Sequence, residues 1–202
     1  IIGGTSSQKI AKDLSLELKQ PLARLTLKRF PDNELYIRIL DDIKNEDIII
    51  VQTTYPDENI IELLLIQDAV YEAGVNKITV VIPYFGYSRQ DKKFEDGEPI
   101  SARAIAEHIS LHAETIITVD PHKEHILDFF NVSAYSCSAV LEIAKYLKGK
   151  KIDFILAPDK GALEKAKQVS NFIDCRYDYI DKTRINGNTV KIKPKSLDVQ
   201  NK

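Results

Sequence analysis

The sequence predicts an α/β protein with a mostly parallel sheet covered by helices, and three observations predict it. Continuous apolar runs rich in β-branched residues recur along the chain, as strands buried on both faces require. Segments with helical periodicity lie between them. Polar clusters follow the ends of the runs, where open α/β sheets collect ligands.

Taken in order, Ser6–Lys19 has helical spacing. Leu22–Arg29 and Leu35–Ile39 alternate apolar and polar residues around FPDNE, Phe30 to Glu34, which reads as two strands and a turn. Asp47–Gln52 (DIIIVQ) is the first continuous run. The helix Asn59–Ala73 follows, with Ile61, Leu64, Leu65 and Ala69 as its apolar stripe. Then come the strand Lys77–Pro83, a charged loop YSRQDKKFEDGEPIS from Tyr87 to Ser101, the helix Ser101–His112 and the strand Glu114–Asp120. A new series opens near Tyr135–Ser138. It comprises helix Ala139–Lys148, strand Ile152–Pro158, helix Lys160–Asn171 and a strand in CRYDYI. The domain boundary is therefore expected at 137/138, and 138–202 is short for a complete three-layer domain.

Composition sets limits. The 202 residues are 44% hydrophobic and 29% charged, enough to bury a core, and the net charge of −2 excludes a general nucleic-acid binder. No apolar run approaches the roughly 20 residues that span a bilayer, and IIGGTSSQKIAK lacks the basic and apolar regions of a signal peptide. Cys137 and Cys175 have no metal-ligand spacing and are expected as buried free thiols of a reducing cytosol. The chain has no methionine and closes on KPKSLDVQNK, from which a partial polypeptide is expected.

Five polar clusters follow strands. FPDNE, taken alone, is a turn. RQD (Arg89 to Asp91) alone is a solvated loop. In DPHKEH, His122 and His125 are helix-start residues or a weak metal pair, short of the three or four ligands zinc needs. In PDKGA, Asp159 is a helix N-cap. DKTR (Asp181 to Arg184) is the edge of a charged hairpin. Together they favour a site for a phosphorylated, metal-bound ligand: Arg and Lys suit phosphate, and Mg²⁺ takes carboxylates, waters and substrate phosphates. Phe30 offers a ring to a base, and Asp32 and Glu34 offer acceptors to an amine or a ribose hydroxyl. Neither GxxxxGK[ST] nor GxGxxG is present.

The ordered set KRFPDNELYIRI, PYFGYSRQDKKFEDGEPISARAIA, TVDPHKEHILDFF, APDKGALEKA and YIDKTR resembles ribose-phosphate pyrophosphokinase over essentially the whole chain. The cast is archaeal, since Ala162 stands where bacterial and eukaryotic members usually have a second glycine. The resemblance implies two type I phosphoribosyltransferase-like domains, the second incomplete here. It implies transfer of the diphosphoryl group of ATP to the 1-hydroxyl of ribose 5-phosphate, giving phosphoribosyl diphosphate and AMP, with Mg²⁺ required. It assigns Phe30, Asp32, Asn33, Glu34, Arg89, Gln90 and Asp91 to ATP, and His122 and Asp159 to the Mg²⁺-bound triphosphate. Lys182 and Arg184 become the catalytic basic pair, with Arg184 also on ribose 5-phosphate. It implies a cytoplasmic homo-oligomer, a dimer or higher, with Lys92 to Glu98 projecting toward a neighbouring subunit.

One departure stands out. The family's phosphoribosyl-binding loop, two acidic residues and then a Ser/Thr-Gly-Gly-Thr turn, has no counterpart before Lys202. The expectation is a fragment that keeps part of the ATP site and is inactive by itself. A catalytically silent regulatory homologue and a generic nucleotide-binding module are the competing readings. Lys182, Arg184, His122 and Asp159 argue against the first, and AMP release separates both from an enzyme.

Overall fold

The structure, a computed structural model, describes residues 1–184 and 190–192. The chain divides into two compact units, Ile1–Cys137 and Ser138–Lys202.

The first unit is built on five parallel strands. They are β1 (Ile2–Gly3), β4 (Asp47–Val51), β5 (Lys77–Ile82), β6 (Thr115–Val119) and β7 (Ser133–Cys137), adjacent in that order. The register sets Ile2 beside Ile50, Ile48 beside Ile78, Val80 beside Ile116, and Ile116 beside Ala134. Alternate residues therefore share a face. Ile48, Ile50, Ile78, Val80, Ile82 and Ile116 form one face, packed with α2 (Glu58–Glu72) and α3 (Ser101–Ile109) in the main core. Ala11 of α1 (Gln8–Leu18) packs with Ile1 and Val51, joined by Ile49 and Val81, in a second cluster. β2 (Leu25–Arg29) and β3 (Leu35–Ile39) pair antiparallel as a separate hairpin, with Leu25, Ile37 and Ile39 against the main core.

Helix α2 does not bury the stripe that spacing predicts. Leu63, Ile66 and Val70 are fully buried, while Ile61 is 55% exposed and Leu65 39%. Residues 60–66 are apolar apart from Glu62, so periodicity alone leaves the inward face undetermined. Two polar side chains on the buried side have partners that match it. Glu62 accepts from the Thr5 amide and hydroxyl, both at 2.6 Å. Gln67 Nε2 donates to the carbonyls of Ile109 at 2.9 Å and Leu111 at 2.8 Å. Buried polar groups left without partners cost about 1–3 kcal/mol each, so these bonds weigh on how the helix is rotated.

β7 is a second departure: Ser133–Cys137 is a strand absent from the sequence reading, and it completes the first sheet at its edge. Its sequence, SAYSC, carries little strand signal, because an edge strand is fixed by backbone pairing more than by buried side chains. The thiols differ from expectation as well. Cys137 is exposed at the end of this edge strand, and Cys175 is partly buried just after a helix.

In the second unit, β8 (Phe154–Ala157) and β9 (Arg176–Tyr179) are parallel neighbours. Helices α4 (Val140–Leu147) and α5 (Leu163–Ile173) meet through Val140, Ala144 and Val169, with Ile155 against them. β10 (Lys182–Arg184) and β11 (Val190–Ile192) form an antiparallel pair.

Candidate functional site

The carboxyl ends of β1, β4, β5 and β6 bring several loops together. The Gln52 amide donates to the Val81 carbonyl at 3.0 Å, and the Thr54 amide to Tyr84 at 3.1 Å. Gly86 then passes directly over this chain: its amide donates to Thr54 Oγ1 at 2.7 Å, and a Cβ there would lie 2.5 Å from the Thr54 carbonyl oxygen. Only glycine permits that approach.

Beyond Gly86 the charged loop begins, held to its surroundings by side chains and backbone. Tyr87 has a positive φ of 64°, and its hydroxyl donates to Asp57 Oδ1 at 2.8 Å. The Asp57 carboxylate, accepting that bond, raises the Tyr87 phenol above its ordinary pKa. The Gln90 amide donates to the Tyr87 carbonyl at 3.0 Å, and the Gln90 carbonyl accepts from Ala102 at 3.2 Å in the first turn of α3. Gln90 Oε1 also accepts from the Ser101 hydroxyl. Asp91 Oδ2 lies 3.1 Å from His125 Nε2.

Arg89 has no hydrogen bond or ion pair among the described residues. It lines a hollow of about 460 Å³ with Tyr55, Asp57, Tyr84, Gly86 and Tyr87. Tyr55 and Tyr84 meet edge to face, 6.2 Å between centroids. This places a free guanidinium beside three aromatic rings. Spacing in the sequence gives no hint of Tyr55 and Asp57, which come from the β4–α2 connection. The outer loop folds on itself, with the amides of Phe94 and Glu95 donating to Glu98 Oε2 at 2.8 and 3.2 Å.

DPHKEH follows β6 as expected. His122 is exposed and makes no hydrogen bond with the described residues. Glu124–Phe129 is a 3-10 segment anchored by Ile126, which is fully buried.

FPDNE is the tip of the β2–β3 hairpin. The Phe30 amide donates to the Glu34 carbonyl at 2.9 Å, Asn33 has φ 73°, and the Glu34 amide donates to Asp32 Oδ1 at 3.1 Å. These are turn bonds, as a turn reading of the sequence requires. The tip also carries chemistry the sequence did not single out. Phe30 stands edge-on to Tyr36 with 5.6 Å between centroids, and the Lys28 ammonium lies 4.9 Å from the Tyr36 ring centre. The register explains it, since Lys28 pairs directly with Tyr36. Phe30, Asp32, Asn33 and Glu34 are all exposed. Among the described residues, no hydrogen bond or ion pair joins this tip to Arg89–Asp91 or to His122.

In the second unit, Asp159 caps the 3-10 turn Lys160–Ala162, its Oδ1 accepting from the Ala162 amide at 3.1 Å. Its second oxygen is not used in this cap. Asp159→Asn keeps a good cap and should leave thermal stability close to wild type, whereas Asp159→Ala should cost about 1 kcal/mol in denaturant unfolding. Lys182 is exposed at the start of β10, paired with Ile192. The backbone of Arg184 pairs with Val190, and its side chain lies outside the described residues. Among the described residues, no group of three or more His, Cys, Asp or Glu side chains could hold a metal ion.

A second, wider cleft of about 1030 Å³ lies elsewhere, toward the amino ends of β4 and β5, with Asp41, Asp47 and Lys77 on its wall. Arg24 fills part of its charge requirement by binding Asp41 through its backbone amide, Nε and Nη2 at 2.5, 2.9 and 2.6 Å. Those bonds hold the Asp41 carboxyl below its usual range. Parallel sheets present ligands at the opposite end, where Arg89–Asp91 follows β5 and His122 follows β6.

Residues 1–112 match the family model for the N-terminal domain of ribose phosphate pyrophosphokinase. The chain is 43% identical to the ribose-phosphate pyrophosphokinase of Methanosarcina acetivorans over 201 residues, covering 98% of this chain and 70% of that protein. The chain belongs to the ribose-phosphate pyrophosphokinase family. The Sulfurisphaera tokodaii ribose-phosphate pyrophosphokinase is 40% identical over 202 residues, 98% of this chain and 69% of that relative. Fold similarity extends further. A phosphoribosylpyrophosphate synthetase crystal structure from Mycobacterium smegmatis superposes with a TM-score of 0.78 at 24% identity, covering 96% of this chain and 66% of that one. The chain thus spans about two thirds of the length of the ribose-phosphate pyrophosphokinases it matches.

Proposed function

We propose that the protein acts as a ribose-phosphate diphosphokinase in the cytoplasm, transferring the diphosphoryl group of ATP to the 1-hydroxyl of ribose 5-phosphate. The observation that carries this reading is identity of 40% or more, over 98% of the chain, to relatives of that name. The unpaired Arg89 beside three tyrosines supports it, because a guanidinium and aromatic faces suit a nucleotide's phosphates and base.

In this reading the sugar 1-hydroxyl oxygen bonds to the β-phosphorus as the bond to the α–β bridging oxygen breaks. AMP leaves with that oxygen, and the hydroxyl proton is released. Negative charge grows on the bridging and non-bridging oxygens, so fixed cations and positioning supply most of the catalysis. Lys182 and Arg184 meet that charge, and Arg184 also meets ribose 5-phosphate. Arg89, Gln90 and Asp91 form the nucleotide segment. Phe30, Asp32, Asn33 and Glu34 present a ring and acceptors from an exposed hairpin tip. A tip that makes no bond, among the described residues, to the nucleotide segment of its own chain suits a site completed by a second copy, hence a homo-oligomer. Exposed Ile61 and Leu65 on α2 offer it apolar surface.

Mg²⁺ fits the residues in a limited way. Asp159 spends one oxygen on its cap and keeps the other, and His122 is exposed with no bond to the described residues. Each residue, taken within its own unit, suits an ion ligated mainly by substrate phosphates and water. When bound, Mg²⁺ would neutralise charge on the triphosphate.

The test uses the 202-residue chain and a chimera extended by the remaining C-terminal part of the Methanosarcina acetivorans relative. Calorimetry should register MgATP binding to the chain. The chimera should release AMP only when ribose 5-phosphate is present. AMP release without the sugar, or no nucleotide binding by either protein, would count against the proposal.

A further inference from the structure

We infer that His125 is a positioning residue for the nucleotide segment, acting through Asp91. This rests on the reading that Arg89–Asp91 meets ATP. Asp91 differs from the loop residues that follow it. Lys92 to Gly97 are all exposed, yet the Asp91 side chain keeps only 12% of its accessibility. A carboxylate withdrawn from water that far needs a donor. Among the described residues its partner is His125, with Nε2 at 3.1 Å from Oδ2. A neutral imidazole carrying its proton on Nε2 makes this bond, so the contact needs a donor of that reach and no net charge.

His125 is itself well placed. It stands on the 3-10 segment that Ile126 anchors in the core, and its ring meets Phe129 edge to face at 5.8 Å. Phe130, just past the end of this segment, packs on Phe85 at 5.3 Å, two residues before Tyr87. The core thus already brings the two segments side by side, and the His125–Asp91 bond fixes their outer edges.

Three side-chain contacts then hold the segment: Tyr87 on Asp57, Gln90 on Ser101, and Asp91 on His125. Arg89 is the member left free, facing the aromatic hollow. Asp91 in this arrangement orients Arg89 and spends one of its oxygens within the protein. His125 also links the nucleotide segment to His122, three residues earlier.

The experiment compares the wild-type chain with His125→Ala and His125→Gln, where glutamine is a neutral donor that can replace the imidazole N–H. Hydrogen exchange is read over residues 88–98 without nucleotide, and MgATP affinity is read by calorimetry. In His125→Ala, exchange in this segment should rise and affinity should fall, each by roughly tenfold, as for a lost bond to a charged group. Exchange in β5 and β6 should not change. His125→Gln should recover most of both losses. Unchanged exchange in His125→Ala overturns the inference. So does raised exchange with unchanged affinity, or a glutamine variant as impaired as alanine. A wild-type chain that binds no MgATP overturns the nucleotide reading instead, and the exchange data still decide whether His125 holds the loop.

Discussion

Replacing Lys182 by alanine in the C-terminally extended chimera is expected to reduce AMP release by a factor on the order of 10³ or more, while MgATP binding stays close to wild type. The reason is where the charge is needed. Lys182 is exposed on β10 and makes no ion pair among the described residues, so its ammonium is not spent on holding the fold. A cation of this kind acts on charge that develops during transfer, and its loss appears in turnover rather than in nucleotide affinity. Steady-state AMP release and calorimetry on the same preparations check it. Near-normal turnover in the variant would remove Lys182 from the mechanism. A parallel loss of nucleotide affinity would make it a binding residue.

The second large effect concerns stability. Ile66→Ala is expected to cost about 2–5 kcal/mol, because it opens a cavity where the side chain is fully buried between α2 and the sheet. Ile61→Ala, on the same helix, should stay within about 0.5 kcal/mol, since Ile61 is 55% exposed. Denaturant unfolding of the two variants measures the difference directly. Equal losses would mean that the face of α2 carrying Ile61 is buried as well, for instance against a second copy of the chain. Repeating the Ile61→Ala measurement across protein concentrations would separate that case, because an interface contribution depends on association.

The α2 pair also illustrates what patterning resolves. The sequence located the helix to within a residue at each end, because Asn59–Ala73 is bounded by turn residues on one side and Gly74 on the other. It selected the wrong face: the stripe Ile61, Leu64, Leu65 and Ala69 includes two exposed residues, while Leu63, Ile66 and Val70 are the buried ones. Ile60, Ile61, Leu63, Leu64, Leu65 and Ile66 surround most of the helix, and no period-3.6 argument separates them. Glu62 and Gln67 belong to residue types that are mostly exposed, yet they are buried, and their partners Thr5, Ile109 and Leu111 lie far away in the chain. In the same way, SAYSC contained too few strand formers to announce β7, and Cys137 took its exposure from an edge position that only sheet order defines.

For the candidate site the division is similar. Sequence alone determined that polar clusters stand at strand ends, because long β-branched runs fix strands and the residues after them must turn. It thereby marked Arg89–Asp91, His122, Asp159 and Lys182 as residues of interest, and it anticipated that Asp159 could serve as a cap. Tertiary structure decided which of these groups are already engaged. Asp91 meets His125 across 34 residues of chain, Tyr87 meets Asp57 across 30, and Arg89 is left free beside Tyr55 and Tyr84. Local sequence encodes backbone preference and burial through nearest neighbours. Whether a polar side chain is paired or available depends on groups that only the folded sheet brings within hydrogen-bonding reach.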